Sequence, residues 1–220
     1  MTLSMLAIHQ AAQNLLDCVC TAVDALPLSL PGLAGCPCRV GVVPAAPAAD
    51  GCDGGCSVGP GEWPGQLTVN VVRLFATDAQ TFPREVGPSA SAGTGLGVRS
   101  LKNCAMPQVT AVELLVTLFR CVPGPTDEGC PPSMAELDAA AMQYHADMLA
   151  VQQGVLCCFA GTDTSRRNGR RYVMGQTTTI GPAGACVGFQ TRVTVALDDS
   201  LPPVPVAALV AVESATLGSF

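Results

Sequence analysis

Residues 133–158 constrain this chain more than any other stretch. Pro131 and Pro132 lead into Ser133-Met134-Ala135-Glu136. That order is a capping box: the serine hydroxyl can accept from the backbone N–H of Glu136, and the glutamate can reach back. Met134, Leu137, Ala141, Tyr144, Met148, Val151 and Val155 then recur at alternating spacings of three and four. That is the period of one helix face, so the spacing predicts an amphipathic helix whose stripe packs on a sheet. A coiled coil is the weaker reading, because the segment spans fewer than about four heptads.

A second helix is predicted over 3–26. Ile8, Ala12, Leu15, Val19 and Ala22 form its apolar face, and Pro27, Pro31 and Gly32 end it. The strands follow from period-two alternation. Arg39–Pro44 is short. In 66–76, Leu67, Val69, Val71 and Phe75 are expected on one face, interrupted by Arg73. In 110–122, Val112, Leu114, Val116 and Leu118 are backed by Ala111, Leu115 and Phe119. A strand apolar on both sides is central, or has its outer face covered by another subunit. Tyr172–Ile180 and Val187–Leu197 complete the set, with a turn at 181–184. In the last strand Val187, Phe189, Val193, Val195 and Leu197 oppose Gln190, Arg192 and Thr194. The reading is an α+β fold, with a mixed, mostly antiparallel sheet of four to five strands packed by two helices on one face. One domain covers 1–200, with long loops at 45–65 and 77–108. Residues 201–220 form a Pro-punctuated apolar arm with no internal partner, expected to dock on a neighbour.

Charge narrows the function classes. Eleven basic residues, Lys102 the only lysine, against 17 acidic ones leave a net charge of −6. Phosphate affinity needs clustered Lys and Arg, so nucleic-acid binding is disfavoured. The cluster Arg166, Arg167, Arg170 and Arg171 reads as a solvated loop. No apolar run is long enough to span a bilayer, and Met1–Gln10 lacks a secretion-type leader, so assembly in a cytoplasm is expected.

Twelve cysteines leave three readings open: buried free thiols, disulfides formed late in an oxidising medium, or a zinc site. Cys36, Cys38, Cys52 and Cys56 form two close pairs, but their C-x-C and C-x3-C spacings depart from the common zinc knuckle. A disulfide within this loop, or to Cys104 or Cys130, explains them equally well. Cys157 and Cys158 are adjacent, and neighbours rarely bond to each other. The run Gly93–Gly97 lacks the ending of a phosphate loop. His9 and His145 lie in helical patterns away from any nucleophile. No catalytic, cofactor-binding or metal-binding residue is assigned, and an enzyme is not expected.

The order helix, three strands, helix, strand resembles the tail-terminator and head-to-tail connector proteins of long-tailed bacteriophages. Four stretches carry the likeness to structural proteins of actinobacterial phages: 52–75, ending in GQLTVNVVRLF; 109–121; 129–161, GCPPSMAELDAAAMQYHADMLAVQQGVLCCFAG; and 181–197, GPAGACVGFQTRVTVAL. The resemblance implies a virion structural protein: a homo-oligomeric ring, usually a hexamer, that caps the tail tube and joins it to the head connector. A head-side adaptor or stopper is the neighbouring alternative; a zinc-binding or thiol-redox protein is the more distant one. The implied partners are the tail tube protein and the connector or stopper, with genomic DNA passing through the lumen unbound and no membrane involved. An acidic lumen suits that passage, since like charge repels phosphates.

Overall fold

The computed structural model describes residues 5–29, 32–46, 63–77, 82–85, 109–125, 129–159, 171–183 and 186–197. The elements run α1 (Met5–Asp24), α2 (Leu26–Ser29), β1 (Pro37–Val43), β2 (Trp63–Thr77), β3 (Val109–Cys121), α3 (Met134–Phe159), β4 (Tyr172–Ala183) and β5 (Cys186–Leu197). The strands form one sheet in the order β1-β2-β3-β5-β4. β1 is parallel to β2 and every other pairing is antiparallel, so the fold is the expected α+β arrangement with five strands.

Both long helices lie on one face of the sheet. Leu15, Leu16, Val19 and Val23 of α1 and Val151, Val155 and Phe159 of α3 share one core with Leu67, Val69, Leu114, Val116, Phe189 and Val193. Removing these side chains from water is the main stabilising term, at about 25 cal/mol per Å² of apolar surface. The helices pack tightly at Gly154, where a Cβ would stand 2.9 Å from the Val19 Cα. Only a residue without a side chain allows that contact.

β3 is the middle strand of the sheet, and both of its sides are buried. Val112, Leu114, Val116 and Leu118 face the helices, while Ala111, Leu115, Thr117 and Phe119 of the second face are buried as well. β5 alternates as expected, with Phe189, Val193, Val195 and Leu197 in the core.

Two expectations need correction. In β2 the ladder shifts between Val71 and Arg73. One extra residue reverses the facing of everything beyond it. Phe75 therefore leaves the face of Leu67, Val69 and Val71 and joins Arg73 on the other, where the guanidinium carbon sits 4.6 Å from its ring centre. The second correction concerns α3. The capping box forms as expected: the Ser133 N–H donates to Glu136 at 2.8 Å and the Glu136 N–H donates to the serine oxygen at 3.3 Å. The stripe after it does not all pack on the sheet. No residue of α3 before Asp147 is buried; Met134 and Leu137 are exposed, and so is Ala141. The first three turns stand clear of the sheet, because the core-facing stripe begins only where Tyr144 and Met148 reach it.

The arm at 201–220, the Gly93–Gly97 run, most of the 77–108 loop, Cys52, Cys56, Cys104 and Arg166 to Arg170 lie outside the described residues.

Candidate functional site

The one charged group in the sheet-facing half of α3 defines the best-organised polar site. Positions 112, 114, 116 and 118 of β3 point at the helices, and by the same parity so does Arg120. Its Nε donates to Asp147 Oδ2 at 2.8 Å and its Nη2 to Asp147 Oδ1 at 2.9 Å. The same Nη2 donates to the Gly35 carbonyl at 2.7 Å. Gln143 completes the cluster. Its Nε2 donates to Asp147 Oδ1 at 2.9 Å, and its Oε1 accepts from the Ala34 N–H at 2.6 Å. Asp147 is fully enclosed and Arg120 is 5% exposed. Asp147 accepts three hydrogen bonds while wholly shielded from solvent, so the arrangement is a clamp. It ties the chain before β1 to the end of β3 and the middle of α3.

A second charged group lies on the sheet face away from the helices. Glu113 accepts from Arg73 Nε at 2.6 Å and also from Arg192 Nη1, so one carboxylate bridges β2, β3 and β5. Burial pushes its pKa up, but the two guanidiniums more than reverse this and hold the carboxyl below the usual range. Arg73 also reaches Glu85 at 3.3 Å. Thr68 Oγ1 and Asn70 Oδ1, on the same face of β2, are buried without a hydrogen-bond partner.

The cysteines resolve toward disulfides. Cys18 bonds Cys158, joining α1 to α3, and Cys20 bonds Cys36, joining α1 to the chain that enters β1. Cys38 and Cys121 are disulfide-bonded as well. Cys157 is a free, exposed thiol beside the bonded Cys158. The four-cysteine zinc reading of 36, 38, 52 and 56 does not describe what surrounds Cys36. Its neighbours are Cys20 and Asp24, all three ligand atoms lying within 4.8 Å of one another. His9 and His145 are exposed on their helices, as their spacing suggested.

The outer face of α3 is the most unusual surface. Met142, Leu149 and Leu156 are exposed and spaced by seven residues, with Met134 and Leu137 exposed ahead of them. From Ala139 to Phe159 the helix carries one formally charged residue, Asp147, and that one is buried. An exposed helix face is normally populated by charge. Here a stripe about 21 Å long has none.

No protein-family model matches the chain, and no curated protein does either. No helix among the described residues is long and apolar enough to cross a membrane.

Proposed function

We propose that the chain is a virion structural protein that assembles into a closed, six-fold ring. In this reading it is the tail terminator at the head-proximal end of a phage tail tube, joining the tube to the head connector. A head-side adaptor or stopper is the alternative within the same class. The observation that carries the reading is the charge-free outer face of α3, where Met142, Leu149 and Leu156 meet water in the isolated chain. Large apolar side chains recurring along an exposed helix face suit an interaction site. A seven-residue spacing suits packing against another helix, with crossing near 20°.

A ring needs a stiff wedge with different surfaces on its two flanks. The five-stranded sheet supplies different flanks, because β1 and β4 are its two edges. The net charge of −6 suits a lumen that lets DNA pass. The experiment is electron microscopy of the purified protein alone and after mixing with tail tubes. Rings, and rings seated on one end of the tubes, support the reading. A protein that stays monomeric at high concentration and leaves tube ends bare contradicts it.

A further inference from the structure

The cluster at the end of α1 has the chemistry of a metal site. Cys20 stands one helical turn before Asp24, the last residue of α1, so both project on the same side. Cys36 enters from the chain leading into β1. Its backbone N–H donates to Asp24 Oδ1 at 2.7 Å, which fixes the carboxylate, and Asp24 Oδ2 lies 4.0 Å from the Cys20 sulfur. Two sulfurs and a carboxylate thus converge within 4.8 Å.

The local electrostatics independently favour a cation. The carbonyl end of a helix carries partial negative charge, and the last turn of α1 has no basic residue to offset it. Asp24 is exposed and, among the described residues, makes no salt bridge. When the Cys20–Cys36 bond is open, two thiolates would add to that charge. Such a site is stable only with protons or a divalent cation on it.

We propose that Cys20, Asp24 and Cys36 form a redox-gated site for a thiophilic divalent cation of the zinc class. In the oxidised chain the two sulfurs bond each other and no cation binds. A dithiol opens the bond: two electrons pass to the sulfurs, each takes a proton, and the dithiol closes into its own disulfide. As the cation arrives, both thiols release their protons to solvent. The bound state is two thiolates, one carboxylate and one cation, with the fourth tetrahedral position open to water. The sulfurs then sit about 3.7 Å apart, from tetrahedral geometry at a zinc–sulfur distance of about 2.3 Å. The link between α1 and the entry to β1 is thereby kept in either redox state, by a covalent bond or by a cation.

The probe is cobalt(II) added to the full chain, before and after reduction by a water-soluble phosphine, which ends as its oxide with oxygen taken from water. The oxidised protein is expected to show no thiolate-to-cobalt charge-transfer band. The reduced protein is expected to show that band and intense visible bands of a four-coordinate ion, both displaced by zinc. Cys20→Ser and Cys36→Ser should abolish the signal. Asp24→Asn, which leaves the disulfide intact, should weaken zinc binding at least about tenfold while Cys157→Ser leaves it unchanged. If a cysteine variant does not fold, the Asp24→Asn titration decides alone. No band after reduction, or a band of the same strength and affinity in Asp24→Asn, overturns the proposal.

Discussion

Arg120 and Asp147 meet through two parallel hydrogen bonds of 2.8 and 2.9 Å, in a pocket that leaves Arg120 5% exposed and Asp147 wholly enclosed. Bidentate geometry of this kind gives the strongest ion pairs, yet burying both charges costs much of what their attraction contributes. Breaking the pair is therefore a different experiment from replacing it. Arg120→Met should destabilise the fold by about 3–5 kcal/mol, because Asp147 is left charged and unpartnered in the core. The double variant Arg120→Met, Asp147→Leu should recover most of that loss. Urea unfolding measures both. A single variant within about 0.5 kcal/mol of wild type would mean that water already reaches the pair.

The two halves of α3 should respond oppositely to the same substitution. Val151→Asp places a charge in the shared core and should abolish folding, at several kcal/mol. Leu137→Asp, on the exposed first turns, should leave the domain folded and its unfolding midpoint nearly unchanged. Circular dichroism and urea titration separate the outcomes. Loss of folding in Leu137→Asp would mean that the first turns pack against something essential to the fold.

Much of this architecture is legible in the sequence. The capping box, the alternation of β5 and the two apolar sides of β3 all follow from local spacing, which is short-range information. Three features do not. The facing of Phe75 depends on one extra residue between Val71 and Arg73, and alternation alone cannot see a bulge. The exposure of Leu137 depends on where the sheet ends beneath α3. The Arg120–Asp147 pair joins residues 27 apart, although a signal was present. Asp147 is the only charge on a helix half otherwise apolar or neutral, and it falls between Tyr144, Met148 and Val151 of the packing stripe. The disulfides are not legible for a different reason: pairing is a property of the folded arrangement, so twelve cysteines on a line do not specify it.

Glu113 makes the stability depend on acid. Its folded pKa is lowered below that of the unfolded chain, about 4.3. A depressed carboxylate contributes stability that is fully present above the unfolded pKa and is lost as pH falls through the folded pKa. Glu113→Gln should therefore be less stable than wild type at pH 6, and the gap should narrow as pH drops below about 4. Urea midpoints for both proteins across that range provide the check. A gap independent of pH would show that the ion triad contributes nothing through charge.

Gly154 tests the helix contact. A methyl group there would stand 2.9 Å from the Val19 Cα and 3.2 Å from the Cys18 carbonyl oxygen, both backbone atoms that cannot swing aside. The Cys18–Cys158 bond, beside this contact, holds the helices at their present spacing. Gly154→Ala should thus cost about 1–3 kcal/mol from overpacking, despite a gain of roughly 1 kcal/mol in helix propensity. Thermal unfolding measures the net. A stabilised variant would mean that α1 and α3 can move apart freely.

The central claim is that the charge-free face of α3 is covered by another copy of the chain in a closed ring. Leu149 lies in the middle of that face and is 67% exposed in the isolated chain. A charge there leaves the fold intact but would be buried without a partner in the assembled interface. The most direct measurement is particle mass in solution, by mass photometry, for wild type and Leu149→Glu. The account predicts a uniform species of six copies for wild type and monomers for Leu149→Glu, with the same circular dichroism spectrum for both. A wild-type protein that stays at 22.4 kDa, or a ring whose mass Leu149→Glu does not change, would contradict it.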